Sequence, residues 1–417
     1  MANELAKKPA RKRPAHPQAP GADRGEAVSS MEPMLITESS RHRGRLNELV
    51  FELTRAATAL RTGLPDGMVV ALSDLVRSMN CYYSNLIEGH YTHPVDIERA
   101  LAEDFSADKE QRDLQLEAKA HIVTQRWIDE DGLAGAAATS ASIMEIHRRF
   151  ESALPPDLLW VEDASRARRE PVTPGAIRTS DVQVGRHVPI SPGAVPRFLA
   201  RWEAAYSGLS KFETVLQTAP AHHRLLWIHP FADGNGRVAR LVSYAMLRDA
   251  LDTGGVWSIA RGLARNEAAY KGHLMACDLQ RRNSLDGRGN LSEETLVDFT
   301  AFFLKTCLDQ VDFMAKLMQP AELYRRIIEW AKEEERIGGL MPNSTRVLAH
   351  ILAHRELERK DVAEIVGFDE RKSRRVTAAL HKHGIITAPT HKAPFRIAFP
   401  AALAPRLMPG LYPPLPR

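Results

Sequence analysis

Cysteine is scarce in this 417-residue chain: three occur, Cys81, Cys277 and Cys307, odd in number and far apart. That excludes a disulfide framework. No metal-ligand spacing joins them, so buried, reduced thiols of a cytoplasmic protein are the expectation. Long apolar runs are missing too; none nears the roughly 20 residues a membrane span requires. The basic N-terminus has no apolar segment behind it, so neither a signal peptide nor a membrane partner is expected. Aromatics make up only 6% of the chain, and charge is almost balanced at +4. What the chain does hold is leucine and alanine at helical spacings, which predicts a mainly α protein with room for two or three domains.

The order of segments is readable. Residues 1–35 begin with a Pro/Ala-rich basic stretch and read as a solvated, disordered tail. Residues 36–120 form an N-terminal helical region. Leu46, Leu49, Val50, Leu53, Ala57 and Leu60 recur at helical spacing until Gly63-Leu64-Pro65-Asp66-Gly67 interrupts them. A second helix is predicted from about Met68 to Leu86, closing at Gly89. Its last turn carries Ser84 and Glu88, an anion where the helix dipole disfavours one, which calls for a cationic partner elsewhere.

Residues 121–320 are the expected catalytic core. His147, on a predicted helix over 143–154, reads as a packing histidine. Residues 155–192 lose the helical rhythm; within them, Asp181-Val182-Gln183-Val184-Gly185 predicts a short alternating strand with a turn at Gly185. One helix is expected over 257–279, and Ser292 caps another. Residues 321–417 change character: three short helical patterns at 345–353, 359–366 and 370–383 precede two apolar segments around Pro389 and Pro394. Helix-turn-helix with a wing is the economical fold. Arg371, Lys372, Arg374, Arg375 and Lys382 make the third helix basic, which suits either DNA or a protein partner, including a second copy in a homodimer.

The densest chemistry lies in His229-Pro230-Phe231-Ala232-Asp233-Gly234-Asn235-Gly236-Arg237-Val238-Ala239-Arg240. Gly234, Asn235 and Gly236 let backbone amides approach an anion at the start of a helix. Arg237 and Arg240, three apart, share one face of its first turn, and two guanidinium forks beside an amide nest suit a polyphosphate such as ATP. Asp233 is a hard oxygen ligand suited to Mg2+. His229 is the side chain able to take a proton near neutral pH.

This run resembles, at every specified letter, the signature His-Pro-Phe-x-Asp-Gly-Asn-Gly-Arg-x-x-Arg of the Fic family. The resemblance spans roughly residues 40–320 and implies a helical core that transfers AMP from ATP to a Ser, Thr or Tyr hydroxyl of a protein, itself included. It assigns the base to His229, magnesium to Asp233, the α- and β-phosphates to the amides of residues 234–236, with Arg237 on the β-phosphate, and the γ-phosphate to Arg240. Tyr270 falls on the expected adenine and ribose side. The segment Ser84-Asn85-Leu86-Ile87-Glu88-Gly89 resembles the family's inhibitory motif, whose glutamate takes the second arginine and can also orient water to remove AMP. Val182, Gln183, Val184 and Gly185 resemble the target-docking β-hairpin flap. The competing class is a nucleotide-sensing transcription regulator that binds DNA through the winged helix.

Overall fold

The computed structural model describes residues 21–162 and 169–413, and it is mainly helical. Two long helices open the chain: α1 (Arg43–Thr62), which buries Leu46, Val50, Leu53, Ala57 and Leu60, and α2 (Asp66–Ile87). They are followed by α3 (Pro94–Leu101), α4 (Lys109–Asp129) and α5 (Ser140–Ser152). Side-chain caps set several starts: Asp108 accepts from the Gln111 amide at 2.9 Å and Thr139 from the Ser142 amide at 3.2 Å. A hairpin of β1 (Trp160–Glu162) and β2 (Arg169–Pro171) pairs antiparallel, with Val161 opposite Glu170.

The centre is built from α6 (Val195–Tyr206), α7 (Lys211–Ile228) and α8 (Asn235–Leu251), with α7 and α8 packed along each other. Where one helix was expected over 257–279 there are two, α9 (Ala260–Arg265) and α10 (Glu267–Cys277). Asn266 separates them by leaving helical geometry (φ −117°, ψ 34°), a break that no proline or glycine announces. The long α11 (Glu293–Leu317), capped by Ser292, lies against α1, α7 and α10.

Two more expectations need correction. Residues 1–20 lie outside the described residues, but 21–35 are no solvated tail. Met31 and Met34 are fully buried in the core with Phe198, Trp202 and Tyr206. The Tyr206 hydroxyl donates to the Met34 carbonyl (2.5 Å), and Arg224 donates to the Pro33 carbonyl at 2.9 and 3.1 Å. Composition alone hid these two methionines behind their charged neighbours. The strand expected over 181–185 is also missing. Val184 and His187 form a single two-way bridge (3.0 Å each way) about a turn at Gly185, where φ is +60°.

Beyond α12 (Pro320–Ile337) come α13 (Ser344–His354), α14 (Val362–Val366) and α15 (Glu370–Lys382), then a ribbon of β3 (Ile386–Thr387) and β4 (Arg396–Ile397). Leu357 adds a rung by pairing with Phe395. The chain then turns back through α16 (Ala404–Leu407) onto the N-terminal helices: the Tyr83 hydroxyl donates to the Leu411 carbonyl at 2.9 Å.

Candidate active site

The site forms where α7 stops and α8 starts. His229 ends α7 in a left-handed conformation (φ 51°), its amide still bonded to the Leu225 carbonyl at 3.1 Å. Gly234, also left-handed (φ 77°), precedes α8. Between them, the Asn235 side chain closes the loop on itself: Oδ1 accepts from the Phe231 amide (3.0 Å) and Nδ2 donates to the Phe231 carbonyl (2.9 Å). Phe231 is fully buried and stacks on His147, centroids 3.8 Å apart. Thus Asn235 spends its side chain on the loop and offers a ligand only its amide. The first amide of α8 with an α-helical partner is that of Val238, bonded to Gly234. Those of residues 234–237 are the free donors of a helix start.

Two arginines flank these amides. Arg237 is buried; it lies over the Phe150 ring at 4.7 Å and donates to Asp233 Oδ2 at 3.1 Å. Its Nη1 is 3.7 Å from Glu117 and has no hydrogen-bond partner. Glu117 in turn holds His90 at 2.6 Å, and that contact raises the His90 pKa. Arg240, 4% exposed, donates through Nε to Ser84 Oγ (2.9 Å) and through Nη2 to the Ser84 carbonyl (3.1 Å) and Glu88 Oε1 (2.5 Å). Burial pushes the Glu88 carboxyl up, but Arg240, then Arg237 and His90, outweigh it, so it stays below the usual range. Glu88 crosses the mouth of the loop so closely that a Cβ on Gly236 would displace its Oε1.

Burial, the Arg178 charge and other neighbours bring His229 down to about 4, which leaves its imidazole neutral and free to accept a proton at neutral pH. Asp233 is the open carboxylate, 54% exposed. No cluster of three or more His, Cys, Asp or Glu occurs among the described residues. One carboxylate fits a magnesium ion that takes its other ligands from phosphates and water, and does not fit a protein-caged metal.

Tyr270 is 2% exposed; its hydroxyl is 2.7 Å from His222 Nε2 and lies beside Arg240, so it backs the arginine from the core and does not stand open to solvent. Val182, Gln183, Val184 and Gly185 are well exposed or half-buried, and the turn is moored by His187, whose Nε2 lies 2.8 Å from the Trp227 carbonyl beside the loop.

Sequence reasoning missed two contributors, Arg178 and Glu151, while His147 is the hydrogen-bonded packing histidine that was expected. Arg178, buried, donates to the carbonyls of His229 (2.8 Å), Ser180 (2.8 Å) and Ile190 (2.5 Å), and its amide bonds the Pro230 carbonyl at 2.9 Å. It ties the 178–190 segment to the His229–Arg240 loop; burial lowers its pKa to about 10. His147 accepts from the Gly175 amide at 2.9 Å, while its Nε2 and Glu151 Oε1, 3.9 Å apart, are buried without hydrogen-bond partners under Gly234. Burial chiefly raises Glu151 to about 7. A His and a Glu four apart on one helix was the available signal, but the same spacing is common on solvated faces.

Residues 137–247 match the model of the Fic/DOC family. Solved structures similar to it include a Fic family protein from Desulfovibrio desulfuricans G20, 14% identical with a TM-score of 0.51, covering 87% of this chain and 98% of that one. A Fic domain containing signaling protein from Bacteroides thetaiotaomicron VPI-5482 is 19% identical with a TM-score of 0.46, covering 64% of this chain and 96% of that one. Fic-1 (residues 134–508) from C. elegans is also 19% identical, TM-score 0.46, over 67% and 73%. No curated protein matches.

Proposed function

We propose that this chain is a protein adenylyltransferase held off by its own Glu88. His229 takes the proton of a target Ser, Thr or Tyr hydroxyl, the oxygen bonds to the α-phosphorus of ATP, and the bond to the bridging oxygen breaks to release pyrophosphate. The amides of Gly234, Asn235 and Gly236 take the α- and β-phosphate oxygens, the guanidinium of Arg237 takes the β-phosphate, and Arg240 takes the γ-phosphate. This is positioning plus charge neutralisation, the two effects on which such transfers depend. Asp233 would hold magnesium with the phosphates, and the ion would neutralise charge on them. The Val182–Gly185 turn would present the target segment by main-chain pairing.

The observation that carries the reading is the contact between Glu88 and Arg240, 152 positions apart in sequence and 2.5 Å apart in space, across a loop that begins with a neutral histidine. A carboxylate on that guanidinium competes for the same donors as a γ-phosphate. The test is transfer of label to protein from ATP marked at either the α- or the γ-phosphate, with magnesium. Glu88→Gly should incorporate the α label and none of the γ label, and His229→Ala should incorporate neither. Incorporation of the γ label would make the reaction a phosphoryl transfer instead.

A further inference from the structure

The three-helix module carries a surface that nucleotide transfer does not use. Helix α15 buries Ser373, Val376, Thr377 and Leu380 against α13, α14 and β3. Its opposite side is open and exposes Arg371, Lys372, Arg374, Arg375, Ala378 and Lys382. We propose that this side docks on duplex DNA, with α15 in the major groove and the tip of the β3–β4 ribbon against the phosphates.

Four observations converge on it. From Arg371 through Phe399 there is no aspartate or glutamate, and residues 344–399 hold eleven lysines and arginines against six acidic residues, in a chain whose net charge is only +4. A merely solvated face would intersperse both signs. Arg371, Arg375, Ala378 and Lys382, spaced four, three and four apart, form one stripe along the helix. Among the described residues the three cations in it make no ion pair. Arg374, by contrast, faces Glu370 at 3.1 Å. Ala378, small and central, lets a groove wall come close.

The scaffold also fits. Gly367 (φ 70°) makes the tight turn between α14 and α15, and Asp369 caps α15 by accepting from the Lys372 amide at 2.9 Å. At 13 residues, α15 is about 20 Å long, enough to cross a groove about 12 Å wide. The ribbon tip exposes His391 and Lys392, while Arg359 braces it, donating to the Ala393 carbonyl at 3.0 Å and lying over Phe395. Finally, this face has no large exposed apolar side chain to anchor a protein partner.

The experiment follows the fluorescence anisotropy of a labelled mixed-sequence DNA duplex with the full chain, without nucleotide, over a range of salt. An RNA duplex of the same sequence serves as comparison. Binding of DNA should weaken steeply with salt. The double variant Arg371→Ala/Arg375→Ala should bind about tenfold or more weakly, with a salt slope smaller by about 2. Arg325→Glu on α12 changes charge by the same amount away from α15 and should bind within twofold of the parent. RNA, whose deep narrow groove excludes a helix, should bind more weakly. No DNA binding at low salt, equal loss in the double variant and Arg325→Glu, or equal affinity for RNA would each overturn the proposal. The first would leave the face to a protein.

Discussion

Arg178 donates three hydrogen bonds to carbonyls, those of Ser180 and Ile190 in its own segment and that of His229 across from it. Arg178→Met keeps the volume but strands those acceptors in a buried place. The cost should be about 2–4 kcal/mol of stability, read as a lower melting temperature, and transfer by the Glu88→Gly background should fall at least tenfold. Loss of stability with an unchanged rate would show that Arg178 holds the fold and not the loop. His229 gives a second residue-scale expectation. Its pKa is lowered from an ordinary 6.5 to about 4, so the base form persists as pH falls and is lost only near the lower value. The Glu88→Gly rate should therefore show no break near pH 6.5; a tenfold fall per unit beginning there would place an exposed, ordinary imidazole in the role.

At the scale of elements, the turn from α7 to α8 depends on the Asn235 clamp as much as on its glycines. Asn235→Ala leaves a buried amide and carbonyl of Phe231 unpaired, which should cost about 2–3 kcal/mol and slow transfer. Urea unfolding and a rate measured on the same sample would check both. Much of this element structure was legible beforehand. α1, α2 and α11 declare themselves through apolar spacing and end signals, and the His229–Arg240 loop through its letters. The Glu88–Arg240 pair was legible only by resemblance and by a carboxylate at the wrong end of a helix. What was not legible depends on tertiary burial. A hairpin with one bridge is too short to alternate, the Asn266 break has no local signal, and nothing local says that Glu151 and His147 lie buried beneath Gly234 or that Tyr270 is covered.

Over the whole molecule, the last segment returns to α2, the helix that carries Glu88. Leu411 is fully buried, its carbonyl accepts from Tyr83, and Tyr412 meets Tyr82 edge-on with centroids 5.4 Å apart, within two residues of Ser84. Arg261 reaches the Gly410 carbonyl at 3.1 Å from the other side. Seating of the C-terminal segment and seating of Glu88 are thus parts of one packed region. Leu411→Ala, costing about 2–4 kcal/mol, should raise the basal transfer rate severalfold in the parent and change it little in Glu88→Gly, where inhibition is already gone. Equal effects in both backgrounds would mean that the segment stabilises the fold without bearing on α2.

The most direct measurement is the intact mass of the parent, Glu88→Gly and His229→Ala after incubation with ATP and magnesium. The account predicts a gain of AMP on Glu88→Gly or on an added target, little on the parent and none on His229→Ala. Unchanged mass in all three, or the same gain with His229 removed, would contradict it.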